Sequence, residues 1–121
     1  MQEFEIIFYK EKNGDIPVKI FLDSLDDKMR AKMLLSIRII KENGPLVRLP
    51  YSEEIEDGIF ELRAKSGSNI SRVLYFFVVG RKIVLTNGFM KKTQKIPRNE
   101  IERAKRFKEE YLSRKDKQNE G

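Results

Sequence analysis

The sequence contains no cysteine and no histidine among its 121 residues. Without cysteine the chain has no disulfide, no thiolate nucleophile and no cysteine-based zinc site. Without histidine it lacks the side chain most often used for proton transfer near neutral pH. Any catalysis must therefore use other groups, and we expect neither a metal nor a cofactor.

Other common signals are also missing. No apolar run approaches the roughly 20 residues that span a bilayer, and the first residues carry acids where a signal peptide needs a basic residue. The chain has no glycine-rich phosphate loop of the Walker or Rossmann pattern and no Ser-His-Asp set. We therefore expect a cytoplasmic protein without membrane contact and without a nucleotide cofactor.

The charge is positive and unevenly distributed. The formal net charge is +6, but residues 1–62 hold nine Lys/Arg and thirteen Asp/Glu, a net −4. Residues 63–95 hold eight Lys/Arg and no acid, whereas a structural surface normally intersperses both signs. Such a run is often only a solvated face, and the alternative interpretation is a surface that binds a polyanion.

The acids cluster just before this basic stretch. Their positions are Glu53, Glu54, Glu56, Asp57 and Glu61. Carboxylates can hold Mg²⁺ in nucleases, but this spacing is typical of an exposed loop. We therefore predict a loop here and no metal site.

The first half of the chain predicts one strand and two helices. Apolar residues alternate over residues 3–10, as in a mostly covered strand. A helix follows from Pro17, with Ile16, Ile20 and Phe21 at about one-turn spacing. Asp26 can cap a second helix, which Gly44 and Pro45 end. The apolar stripe of that second helix is Met29, Met33, Leu34, Ile37 and Ile40.

The second half predicts three strands and a helix. Apolar segments at 59–64, 71–79 and 82–90 are separated by short turns, so they should pair as an antiparallel meander, with Glu61 and Arg63 on one face of the first. A last helix is predicted from Pro97 to about Leu112, with Glu100 as a dipole or capping residue. The fold class is α+β: a twisted antiparallel sheet with two N-terminal helices on one face and a C-terminal helix, all helices covering that face. Residues 1–112 form a single domain, and residues 113–121 a disordered polar tail.

Basic residues stand at the predicted strand ends. Arg63 closes one strand, Arg72 opens the next, and Lys91, Lys92 and Lys95 follow the third. A meander would bring these residues onto neighbouring strands, where an arginine binds two phosphate oxygens and a lysine among cations has a lowered pKa. This set predicts histidine-free ribonuclease chemistry, in which the RNA 2′-hydroxyl is the nucleophile. The predicted catalytic residues are Arg63, Arg72, Lys91 and Lys92.

Aromatic side chains are interleaved with these charges. Phe76 and Phe77 lie in mid-strand and are predicted to be core, while Tyr75 or Phe89 could stack on an unpaired base. The predicted RNA contacts are Lys65, Tyr75, Arg81, Lys82, Phe89 and Lys95.

A family resemblance rests on these same residues. Phe60-Glu61-Leu62-Arg63 is followed by Arg72, Tyr75 and Phe76, by Gly88-Phe89, by Lys91-Lys92-Thr93, and by Pro97, Glu100 and Ala104. Over residues 58–111 this pattern resembles the HigB-type, phage-derived branch of the RelE/ParE toxin superfamily.

The resemblance implies the RelE-like fold and a ribosome-dependent mRNA endonuclease. It also implies a cognate antitoxin, of the helix-turn-helix type, as the partner besides the ribosome and mRNA. Some RNA-cleaving members use a histidine, absent here, or a terminal-helix tyrosine, for which Tyr111 is the candidate. Three alternatives stay open: an RNA-binding module that does not cut, a gyrase inhibitor of the same fold, and an inert phage accessory protein.

Overall fold

The computed structural model of the protein describes residues 3–91 and 95–120, without the side chains of residues 91 and 115–120. The elements follow in the order β1 (Glu5–Phe8), α1 (Pro17–Ser24), α2 (Asp27–Asn43), a short 3-10 helix (Gly44–Leu46), β2 (Ser52–Glu56), β3 (Ile59–Ser66), β4 (Asn69–Val78), β5 (Lys82–Lys91) and α3 (Arg98–Glu120). The strands form a five-stranded sheet in the order β1-β5-β4-β3-β2. The predicted α+β class is confirmed.

The sheet is mixed in direction. β3, β4 and β5 form the predicted antiparallel meander, with Arg63 opposite Arg72 and Arg72 opposite Phe89. β1 instead pairs with β5 in the parallel direction, with Glu5 beside Lys82. The prediction of a wholly antiparallel sheet is wrong, because β1 and β5 are far apart in the sequence and no hairpin turn forces them to run in opposite directions.

The two N-terminal helices begin where the sequence predicts, and α2 also ends at the predicted position. α1 begins at Pro17, and the carboxylate of Asp26 caps α2 by accepting a hydrogen bond from the Met29 amide at 2.8 Å. α2 ends at Asn43, and Gly44 adopts a positive φ of 56°. Two residues assigned to the apolar stripes, Ile20 and Leu34, are exposed. The other stripe residues of α2 are buried.

The helices cover both faces of the sheet. α1 and α2 pack on the face that carries Leu62, Val73 and Leu85, which we call the α2 face. The α3 residues Ala104 and Phe107 pack on the other face, the α3 face; its strand residues include Ile59, Leu74, Phe76, Val84 and Phe89. The prediction that all helices cover one face is therefore wrong for α3. The central strands are apolar on both sides, so both faces need a cover.

β2 is a strand that the sequence analysis interpreted as a loop. Residues Ser52–Glu56 pair antiparallel with β3, and Glu53 lies opposite Glu61. Its three acids, Glu53, Glu54 and Glu56, made the segment look like solvent-exposed loop. Charged residues are in fact a common feature of an edge strand, because they discourage pairing with another chain.

Gly88 of β5 marks where α1 meets the sheet. A Cβ built on Gly88 would collide with the ring of Phe21, the α1 residue that lies over this part of β5. Phe21 packs against the cluster on the α2 face. Gly88 is therefore the position at which a side chain would separate α1 from the sheet.

α3 is longer than predicted. It runs to Glu120, so the backbone of residues 113–120 is helical where a disordered polar tail was expected. Tyr9 stacks on Phe107 with ring centroids 4.4 Å apart, and the Arg114 guanidinium donates to the carbonyl of Lys10 at 2.7 Å. These contacts attach α3 to the residues that follow β1. In the part of the chain that the structure describes, no helix has the length and apolar character needed to cross a membrane.

Candidate functional site

The candidate site centres on one cross-strand pair of arginines. Arg63 of β3 lies directly opposite Arg72 of β4, and Phe89 of β5 continues the same row. Residues directly opposite each other on antiparallel strands project to the same face. All three therefore belong to the α3 face, and the meander brings Arg63 and Arg72 together as the sequence predicts.

The arginines are linked by carboxylates. Glu61 Oε1 accepts from Arg63 Nε at 2.7 Å and also pairs with Arg72 Nη1. Glu53 of β2 accepts from Arg63 Nη2 at 3.0 Å. The result is an alternating chain of two acids and two bases, Glu53, Arg63, Glu61 and Arg72, which we call the Glu/Arg network. Its formal charge is zero, so a bare cationic pocket at these arginines is not what the structure contains.

Burial divides the Glu/Arg network into an inner and an outer half. The side chains of Glu61 and Arg72 are 2% and 4% exposed, whereas those of Arg63 and Glu53 are 28% and 50% exposed. Burial lowers the pKa of Arg72, and the negative charge of Glu53 opposes this shift. An arginine remains charged at neutral pH, so Glu61 and Arg72 form an inner ion pair, and Arg63 is the guanidinium that a ligand can reach.

This arrangement changes the role expected of Arg72. A direct grip on phosphate needs free donors at the surface, but Arg72 Nε and Nη1 are buried. Within the described residues Arg72 Nε has no hydrogen-bond partner. Arg72 can act on the surface only through Glu61, or after that ion pair opens.

A groove of about 890 Å³ lies beside the Glu/Arg network. Arg63, Glu53 and Glu61 form one wall, and residues before and within the first turns of α3 form the other, among them Lys95, Arg98 and Ile101. Lys95 is thus brought to the site, as predicted, and it is exposed. The groove is open to solvent.

Asn87 fixes the start of α3 and was not singled out from the sequence. This fully buried residue of β5 donates from Nδ2 to the Glu100 side chain at 2.9 Å and to the Glu100 carbonyl at 3.3 Å. Glu100 was predicted as a dipole or capping residue, and it lies in the first turn of α3. The sequence signal that could have identified Asn87 was a polar residue within a largely apolar strand. Through this contact the sheet sets the position of the α3 wall of the groove.

The two aromatic side chains proposed to stack on a base are buried. Tyr75 is 1% exposed on the α2 face, where its hydroxyl pairs with the Ser52 hydroxyl. Burial raises the pKa of Tyr75. Phe89 is 8% exposed and packs in the core of the α3 face. Neither ring offers a free face to a nucleobase, so the stacking prediction is wrong for both residues.

Two of the basic residues predicted to contact RNA, Arg81 and Lys82, lie away from the Arg63 site. Arg81 and Lys82 follow the far end of β4, and Val78 lies six positions beyond Arg72 on that strand, about 20 Å away at roughly 3.4 Å per residue. The Arg81 guanidinium there lies 4.3 Å from the ring centre of Phe4. These two residues are separate from the Arg63 site, which corrects their assignment to a single basic pocket.

The structure describes the three lysines nearest the site to different extents. Lys65 is exposed on β3, two residues beyond Arg63. The backbone of Lys91 ends β5 in register with Ile70, two residues from Arg72. Lys92 lies outside the described residues.

Tyr111 lies away from the arginines. Its ring packs edge-on against Phe76, with centroids 5.9 Å apart. Ten residues separate it from Ile101 at the groove, about 15 Å along a helix. Tyr111 therefore belongs to the contact between α3 and the sheet.

Two acids of β2, Glu53 and Glu56, pair with cations. Glu56 binds Arg98 in two hydrogen bonds and also binds Lys105, and these partners lower the pKa of Glu56 to about 2. Among the residues that the structure describes, no group of three or more acids is arranged to hold a metal ion. The acidic cluster thus ties β2 to α3.

Comparison with known proteins identifies the family. Residues 20–109 match the family described as "Phage derived protein Gp49-like (DUF891)". No curated protein matches the chain. The matched range contains the second part of α1, all of α2, all strands from β2 to β5, and the first half of α3. The chain therefore belongs to the phage-derived Gp49-like family, a toxin-like family in the RelE/HigB area.

Proposed function

We propose that the protein is the toxin of a type II toxin-antitoxin system, a cytoplasmic endoribonuclease that cleaves mRNA on the ribosome and so inhibits translation. The observation that carries the proposal is the partly exposed Arg63 guanidinium at the wall of a groove that also holds Lys95. Membership in a toxin-like family supports the biological role.

Arg63 is suited to stabilise a transition state. It donates two N–H groups to Glu53 and Glu61, and a guanidinium has five donors, so others remain for phosphate oxygens. The carboxylates hold the guanidinium in a fixed orientation before RNA arrives. A donor that is already held in position stabilises the transition state more than a donor that must first reorient.

The proposed reaction is an internal transesterification. The 2′-oxygen of a nucleotide forms a bond to the adjacent phosphorus, and the bond from phosphorus to the 5′-oxygen of the next nucleotide breaks. A proton leaves the 2′-hydroxyl and a proton is added to the departing 5′-oxygen. Negative charge grows on the non-bridging oxygens meanwhile, and Arg63 stabilises that charge.

Lysines supply the remaining chemistry in this proposal. We assign proton transfer, or further charge stabilisation, to Lys91 or Lys92, since β5 ends two residues beyond the row of Arg63, Arg72 and Phe89. Lys95 and Lys65 contact the RNA backbone. Arg72 holds Glu61, and Glu61 in turn orients Arg63. No metal is needed, because the guanidinium and ammonium groups provide the positive charge.

The proposed partner is an antitoxin of the helix-turn-helix type, encoded beside this gene. An acidic or amphipathic segment of it would cover Arg63 and Lys95 and exclude RNA from the groove. A small helix-turn-helix gene next to this one, and recovery of growth on its co-expression, would be the expected observations.

The direct test is induction of the protein in growing bacteria, followed by primer extension on abundant mRNAs. The proposal predicts new mRNA 5′ ends that disappear when Arg63 is replaced by alanine. DNA breaks without mRNA ends would indicate a gyrase inhibitor instead. RNA binding without new ends would indicate a module that does not cut. Unchanged growth and intact mRNA would contradict the toxin assignment.

A further inference from the structure

A second groove lies on the opposite side of Arg63, between α2 and the end of β3. Its volume is about 390 Å³, and we call it the α2–β3 groove. Its walls come from α2, from the connection before β2 and from the ends of β3 and β4. We propose that this groove binds an acidic segment of a partner protein whose aliphatic side chains fill its apolar floor.

The floor is apolar and partly open to solvent. Leu35, Pro50, Tyr51 and Ile70 line it, and Leu35 and Tyr51 are 55% and 41% exposed. Leu35 projects from the side of α2, while Met33 and Ile37 of the same helix are buried against the sheet. Contiguous exposed apolar side chains in a groove with a charged rim are typical of a protein interaction site.

The rim is cationic. Lys32 and Lys65 line the groove together with Arg63, and among the residues that the structure describes no acid lines it. Within the described part of the chain, neither Lys32 nor Lys65 forms an ion pair. Carboxylates on a ligand would therefore find partners, whereas a basic ligand would be repelled.

The β3 edge beside the groove is open. β2 pairs with β3 only as far as Ser52 opposite Leu62, and the Arg63 amide donates to the Tyr51 carbonyl at 2.8 Å. Among the described strands none pairs with Ala64–Ser66 on that side. An extended segment of a partner could add main-chain hydrogen bonds at this edge.

The lining favours a polypeptide over RNA. A nucleobase needs a flat aromatic or guanidinium surface on which to stack. Leu35, Pro50, Ala64 and Ile70 of the lining are aliphatic, whereas Tyr51 is its aromatic residue. The Arg63 guanidinium is already held by Glu53 and Glu61. Aliphatic side chains of a protein fit such a floor better, and the acids flanking them match the lysines.

Occupation of the α2–β3 groove would affect the candidate site. Arg63 lines both grooves, so a segment bound in the α2–β3 groove would lie directly beside the residue that carries the proposed cleavage. Binding itself does not depend on the proposed ribonuclease activity. The expectation that binding inhibits the protein does rest on that function.

The test is selection of binders from a displayed library of random 16-residue peptides against the purified full-length protein. The proposal predicts selected peptides enriched in Asp/Glu and in Leu, Ile or Val. It also predicts at least tenfold weaker binding of those peptides, by fluorescence anisotropy, to Leu35→Ser and Lys65→Glu. Two variants at exposed positions distant from the groove, Val79→Ser and Lys10→Glu, serve as apolar and charge controls and should bind normally.

Every other outcome overturns the proposal. These outcomes are no selected binders, binders without an acidic and aliphatic bias, or binders that Leu35→Ser holds as tightly as wild type. A 20-nucleotide RNA that loses affinity in Leu35→Ser, while peptides do not, would assign the groove to RNA. The assay needs neither ribosomes nor cleavage, so its failure is distinguishable from failure of the proposed function.

Discussion

Arg63 and Arg72 face each other across β3 and β4, and their guanidinium groups contact the same carboxylate oxygen, Glu61 Oε1. The strand meander therefore does bring two arginines to one place. It also brings the acid that neutralises them. Arg63 at the surface and Arg72 in the interior consequently have different properties, although the sequence presents them as equivalent strand-end arginines.

The inner ion pair should control stability. Glu61→Gln would leave Arg72 as a buried charge without a counterion, which typically costs about 3–5 kcal/mol in the free energy of unfolding. The matched control is Glu53→Gln at the exposed end of the Glu/Arg network, for which about 0–1 kcal/mol is expected. Urea denaturation of both variants measures the difference.

A double variant separates charge from packing in this pair. Replacing both Glu61 and Arg72 with methionine removes both buried charges, so it should recover much of the stability lost in Glu61→Gln. Equal unfolding free energies for Glu61→Gln and Glu53→Gln would show that the buried pair does not have the importance assigned to it.

The contact between Gly88 and Phe21 gives a packing prediction. Gly88→Ala should destabilise the protein by about 1–3 kcal/mol, because the new methyl group meets the Phe21 ring and overpacking forces α1 away from the sheet. Phe21→Leu in the same chain should relieve the collision and reduce the cost of Gly88→Ala. Thermal unfolding of the two single variants and the double variant checks this; strictly additive effects would argue against direct contact.

Glu56 gives a pH prediction. Hydrogen bonds from Arg98 and Lys105 lower its pKa to about 2, below the usual value near 4.3. A carboxyl whose pKa is lowered by folding stabilises the folded state above its unfolded pKa, and this contribution is lost as the pH falls through the folded pKa. Wild type should therefore lose stability between about pH 4.5 and pH 2.

The comparison variant for this prediction is Glu56→Gln. Its unfolding free energy, measured in urea at pH 6 and pH 3, should change less than that of wild type. Because the pair is exposed to solvent, 0.5 M NaCl should reduce the difference. An identical pH dependence in both proteins would contradict the role given to Glu56.

The sequence predicts the strands and helices well where apolar periodicity is strong. Alternation correctly places Glu61 and Arg63 on one face of β3, and the helix signals at Pro17, Asp26 and Gly44 are confirmed. Apolar periodicity does not predict β2, because its acidic residues are typical of an exposed loop. Its place beside β3 depends on long-range pairing that no local pattern reveals.

The candidate site is less predictable for the same reason. A count of charge along the chain shows no acid between residues 63 and 95, yet Glu53 and Glu61 lie on the same face as Arg63 in three dimensions. Tyr75 and Phe89 have the residue type of base-stacking side chains, but burial decides between core and surface. When a strand is apolar on both faces, the sequence does not show which helix covers each face. Phe89, for example, is buried because α3 packs on its face of the sheet.

The central claim is that RNA cleavage requires the Arg63 guanidinium. The measurement is cleavage of a defined mRNA on purified, programmed ribosomes by wild type, by Arg63→Ala and by a control, Arg38→Ala, which removes an exposed arginine of α2 paired only with Glu42 among the described residues. The account predicts cleavage by wild type and Arg38→Ala, and at least about a 100-fold lower rate for Arg63→Ala with the fold retained. Undiminished cleavage by Arg63→Ala would contradict it.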